Sequence, residues 1–155
     1  MKRVLVALAL VGSVLLGSTA PAVAATTGRQ TFVVVLRDDT STVYGSGPIS
    51  GIGTFSEDPN NSDLVTFTFP DGSVTLAAPS TEESESFNEV ACVGRFSFGG
   101  DYTIAHATGA YAGATGSGTF SGTGIFVGTR TNEGCSEEGG RFILLARVSG
   151  TTTLP

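Results

Sequence analysis

The sequence has no tryptophan, one methionine, one histidine, one lysine and two cysteines. Each shortage removes a class of chemistry. The lysine is Lys2, inside an apolar leader, so the body of the chain has none for the phosphate-gripping position of a P-loop. No GxGxxG stands where a strand would give way to a helix, which leaves dinucleotide binding without support. There is no GxSxG elbow, and a Ser-His-acid triad would have to be assembled around His106, whose ordinary reading is a strand residue. With one histidine and no CxxC, no metal site is expected, and nothing in the sequence calls for a cofactor. Asp58, Asn60, Ser62 and Asp63 are spaced like the start of a calcium loop. The glycine and the distant bidentate glutamate of such a loop are missing, so an Asx-rich turn is expected. Asn60-Asn61-Ser62 also fits a glycosylation sequon.

Long apolar runs and positive charge are scarce too. The one long run, Val4 to Gly17, follows Lys2-Arg3 and leads into Ala20-Pro21-Ala22-Val23-Ala24-Ala25. That is the pattern of a secretory signal peptide cut after Ala24 or Ala25, and it is too short to span a bilayer. Residues 1–25 are therefore expected to leave, and residues 26–155 to form one secreted, soluble domain, large enough to bury roughly two thirds of the unfolded surface. That domain carries six arginines against fourteen acids, a formal charge of −8 spread over several loops. Such a surface argues against nucleic acid and anionic membranes as partners, because both need clustered positive charge. In an oxidising compartment Cys92 and Cys135 are expected to form a disulfide.

What the chain has in abundance is glycine, 22 residues of it. Six fall between Gly109 and Gly124, interleaved with Tyr111, Thr115, Thr119, Phe120 and Thr123. Glycine at this density rules out a helix and suggests two strands meeting at a glycine-bent corner. Gly51-Ile52-Gly53-Thr54-Phe55-Ser56 nearly repeats Gly116-Ser117-Gly118-Thr119-Phe120-Ser121, as a barrel of two similar halves would. Thr31 to Arg37 reads as a first strand. Leu64 to Phe69, Pro70-Asp71-Gly72, then Val74 and Leu76 form the clearest hairpin. Pro79 to Glu89 reads as an acidic loop guarding strand edges, with Glu82, Glu83, Glu85 and Glu89. Val90 to Phe98 resumes the strand pattern, Gly99-Gly100-Asp101 reads as a turn, Tyr102 to Ala107 as a strand, Thr131 to Gly140 as a loop, and Arg141 to Val148 as the last strand. The fold expected is all-β: about eight antiparallel strands at short, regular spacing, which fit a closed barrel or a sandwich.

The run Gly100-Asp101-Tyr102-Thr103-Ile104, followed by Thr108-Gly109-Ala110-Tyr111-Ala112-Gly113-Ala114-Thr115-Gly116-Ser117-Gly118, resembles the glycine motif of the allene oxide cyclase barrel and dirigent-like superfamily. Its usual form is a GDY-like turn followed by G-T-G-x-[YF]-x-G-A-x-G; here Ala107 or Thr108 stands where an extra glycine normally begins the motif. The match covers Phe96 to Ile125. The resemblance implies an all-β fold, an eight-stranded antiparallel, calycin-like barrel with an apolar cavity, here closed by one disulfide, in a family that includes plant cyclases, dirigent proteins that steer radical coupling, bacterial polyketide cyclases and exported bacterial proteins. Its glycines carry over fold rather than activity, and no residue here aligns with the family's catalytic carboxylates.

Within such a barrel Phe67, Phe69, Phe96, Phe98, Tyr102, Tyr111 and Phe120 are the residues that line a cavity or fill it. Arg95, Arg141 and Arg147 fall on the opposite face or at strand ends. The expected function is a non-catalytic secreted barrel that binds a small apolar molecule or acts in an extracellular interaction. The alternative is a cyclase, isomerase or dirigent-like protein that steers a reactive intermediate in the cavity, where positioning alone supplies rate. A sandwich module with an open sheet edge is a third reading.

Overall fold

A computed structural model of the protein describes residues 24–132 and 134–155. The expected signal peptide falls almost wholly outside them.

The β-branched run read as the first strand extends to β1 (Thr26–Arg37), and its alternation sends Phe32 and Val34 inward. The chain then meanders through β2 (Thr40–Ser46), β3 (Gly51–Asp58), β4 (Asn61–Phe69) and β5 (Gly72–Ala77), each antiparallel to the last. The hairpin at Pro70-Asp71-Gly72 forms where the sequence places it, with Phe69 opposite Gly72. Next come β6 (Glu82–Asn88), β7 (Val93–Ala107), a single 3-10 turn at Gly109–Tyr111, β8 (Thr115–Thr131) and β9 (Gly134–Leu154). Strand β9 returns to pair with β1, and the second half of β7 pairs with β5. These ladders close an eight-stranded antiparallel barrel, and β6 adds a ninth strand outside the closure.

Four local expectations are corrected. Gly109 to Gly124 is a 3-10 turn followed by one continuous strand, not two strands meeting at a corner. At Gly109 a positive φ of 62° is needed, and a Cβ there would sit 2.2 Å from the Asp71 carbonyl, so the turn packs directly on the β4–β5 hairpin. Gly99-Gly100-Asp101 is not a turn, because β7 is laddered on both sides there, Gly99 opposite Glu82 and Ser121. Pairing on two sides overrides the weak strand preference of glycine. Pro79 to Glu89 is not simply a loop, since Glu82–Asn88 forms β6. Thr131 to Gly140 holds the tip of the β8–β9 hairpin and the start of β9 rather than a long loop.

The core follows the inward register. Phe32, Val43, Ile49, Phe67, Val74 and Leu76 are fully buried or within 1% of it. Glycines of β8 face inward beneath rings of β7: a Cβ at Gly122 would lie 2.3 Å from the Phe98 ring, and one at Gly124 2.0 Å from the Phe96 ring. These glycines let the aromatic side chains lie flat on the barrel wall.

Candidate functional site

The two ends of the barrel are finished differently. At one end Gln30 is fully buried, and its amide replaces a strand partner for the loop after β2. The Ile49 N–H donates to Gln30 Oε1 at 2.9 Å, and Gln30 Nε2 donates to the carbonyls of Ile49 at 2.8 Å and Ser46 at 3.2 Å. This holds the Ile49 side chain, also fully buried, across the end. The Tyr111 ring meets Phe69 edge-on at 6.1 Å from the other side. That end is sealed.

The other end is open. Strand β7 exchanges partners midway: Val93 to Gly99 pair with β6, whereas Thr103 to Ala107 pair with β5. Between β6 and the β3–β4 hairpin the sheet is therefore not laddered. The space leads into a cavity of about 750 Å³. Two aromatic runs wall it. One passes Phe142, Phe96, Phe98 and Phe120 with successive centroids 5.8, 6.2 and 6.2 Å apart. The other is Phe55 and Phe67, 6.2 Å apart, behind which Phe32 packs on Phe67 at 4.9 Å in the core of the sealed end. Leu36, Val65, Leu76, Leu144 and Val148 complete the apolar surface, and Glu57, Glu83 and Glu85 stand among the lining residues.

Of the seven aromatic residues singled out in the sequence, Phe67, Phe96, Phe98, Tyr102 and Phe120 line this cavity. Phe69 and Tyr111 lie beyond it, in the packing of the sealed end. Tyr102 is 2% exposed, its ring crosses β8 towards Gly150, and its hydroxyl has no partner among the described residues. Burial pushes its phenol pKa upward, so it stays a neutral hydroxyl at neutral pH. His106 is exposed on β7 opposite Thr75. Asp58 and Asn61 accept the amides of Asn60 and Asp63 at 2.8 and 3.1 Å, which makes the calcium-like run a pair of Asx turns. Among the described residues no three His, Cys, Asp or Glu side chains gather as a metal site.

The carboxylates of β6 were not singled out as cavity residues in the sequence. Register explains their place: Glu83 lies opposite Phe98 and Glu85 opposite Phe96, so both share the inward face with those rings. Alternation in Glu-Ser-Glu-Ser-Phe was the available clue, masked by the low strand preference of glutamate.

The wall carrying β6 is fastened by the Cys92–Cys135 disulfide. A register shift after Val127 bends the β8–β9 hairpin, and the Gly128 N–H donates to the Cys92 carbonyl at 2.7 Å. Arg130 caps the same turn by donating to the Glu89 carbonyl. At the neighbouring corner Asp38 accepts the Phe142 N–H at 3.0 Å and pairs with Arg141 at 2.8 Å. The backbone donor first, then the guanidinium, holds the Asp38 carboxyl below its usual range.

Outside the barrel the arginines gather on one face. Arg37, Ile143, Ile125 and Arg95 are neighbours in a row across β1, β9, β8 and β7, with exposed Leu145 and Arg147 further along β9. No family model, curated protein or solved structure matches the chain.

Proposed function

We propose that the protein is an exported, non-catalytic binding barrel that holds one small apolar molecule. The open cavity carries this reading. Its volume of about 750 Å³ falls within the roughly 300–1,000 Å³ of small-molecule sites, and its phenylalanines line the space rather than fill it. Export is supported by the N-terminal pattern and by the disulfide, which belongs in an oxidising compartment. Native mass spectrometry of the secreted protein, compared with denaturing spectra, tests the proposal. The expected result is a bound small molecule that is lost on denaturation, or one-to-one uptake of an apolar, environment-sensitive dye that Leu144→Trp blocks by occupying the cavity. A protein that carries no added mass and takes up no dye refutes the reading.

The arginine-bordered apolar face favours a second reading, an extracellular contact with an acidic protein surface. Substituting Arg37 and Arg95 with serine would then abolish partner capture and leave dye uptake intact.

A further inference from the structure

We infer that the cavity selects a cationic amphiphile: an apolar body with a positively charged head, such as a protonated alkylamine. This rests on the binding-barrel reading and adds the ligand's charge. The lining carries three carboxylates, Glu57, Glu83 and Glu85, and no arginine, lysine or histidine. They approach the mouth from two sides, Glu57 from β3 and the other two from β6. An exposed glutamate on an edge strand ordinarily faces solvent. In β6 the register places Glu83 and Glu85, both exposed at the mouth, on the face shared with the cavity rings Phe98 and Phe96, and Ser84 also reaches the lining.

The arginines leave these charges standing. Arg37, Arg95 and Arg141 take the outward register, as does Arg147, which shares a shallower groove with Glu83 without pairing with it; Arg130 donates to the carbonyl of Glu89, and Arg29 lies on β1 before Gln30, at the sealed end. Among the described residues none of the three mouth carboxylates is paired with a cation. Tyr102, the polar group deeper in the lining, is neutral. An apolar pocket whose charge is of one sign, set at its mouth beside low-dielectric walls, concentrates ligands of the opposite charge. An anionic head would be repelled there, and a neutral one would gain only from its chain.

The test uses three probes of one chain length: dodecylammonium, dodecanol and dodecanoate, titrated into the folded protein below their micelle concentrations by dye displacement. Dodecylammonium is expected to bind about tenfold tighter than dodecanoate at low ionic strength, a ratio that shrinks towards unity at 1 M salt, where charges are screened within about 3 Å. Glu57→Gln, Glu83→Gln and Glu85→Gln together should bring dodecylammonium and dodecanoate to equal affinity, with dodecanol still bound. Neutralising Asp39, Asp101 and Glu138 instead, which removes the same charge elsewhere, should preserve it. Equal binding of all three probes overturns the inference and leaves the binding barrel standing. Equal loss from both triple variants traces the preference to net charge and overturns it as well. If no probe binds, the binding-barrel reading itself fails.

Discussion

The same strands finish the barrel in two unlike ways. At the sealed end a buried amide takes over the hydrogen bonds of a loop, and Phe32, Phe69, Ile49 and Tyr111 close over it. At the mouth β6 leaves the closure, the β3–β4 and β8–β9 ladders shift register, and carboxylates stand where apolar caps could have been. Eight strands make an interior only just wide enough for side chains or one small ligand. Which of these results is decided by what covers the ends and by where glycine lets rings lie against the wall.

The contrast breaks first in the core. Phe32→Ala at the sealed end should cost about 3–5 kcal/mol by urea denaturation, as for buried aromatic truncations generally. Phe96→Ala, beside open space, should cost well under half as much, because part of its surface already faces the cavity. Equal losses would mean that the mouth is as tightly packed as the sealed end. Next in size is the disulfide, which closes a long loop and stabilises by up to roughly 4 kcal/mol on the chain-entropy account. Cys92→Ser with Cys135→Ser should therefore lower the denaturation midpoint. It should also speed hydrogen exchange in β6 far more than in β1, since the bond holds only the mouth wall; uniform acceleration would contradict this placement. A smaller effect is expected from Gln30→Leu, which keeps volume but strands the N–H and carbonyl of Ile49. The cost should be about 1–3 kcal/mol with dye uptake unchanged. Loss of dye uptake would show that the two ends are coupled.

Much of the sealed end was legible from the residues. The Phe67 and Phe69 alternation and the Pro70-Asp71-Gly72 turn follow from local pattern, and at the mouth wall the pairing of Cys92 with Cys135 follows from there being two cysteines. The mouth was less so. Strand β6 is written in glutamate and serine, which have little preference for strands, and it exists because β7 offers it a free edge. Glycine in β8 reads as a corner until Phe96 and Phe98, some 26 residues earlier, are known to lie on it. Gln30 gave no local hint either, because its partners are set by a loop 19 residues away. Periodicity reports which residues share a face; it does not report which distant strand supplies the other half of a contact.

The smallest effect expected separates the two buried tyrosines by pH. Burial raises the phenol pKa of both Tyr102 and Tyr111, the latter also through the charge of Asp71, from an ordinary 10.0. Above pH 10 the unfolded chain has released phenolic protons that the folded barrel still binds, so stability falls with rising pH until the folded phenols ionise too. Below that the two states bind these protons equally and stability is flat with respect to them. Tyr102→Phe should shallow the alkaline fall. It should also keep or raise stability at neutral pH by about 1 kcal/mol, because the hydroxyl it removes is buried without a partner. Tyr111→Phe should shallow the fall without that gain, since its hydroxyl is not stranded in the same way. Urea midpoints from pH 8 to 11 for the two variants decide the matter. A neutral-pH loss in Tyr102→Phe would mean that the hydroxyl has a partner in solution, and the floor of the cavity would then be wet rather than dry.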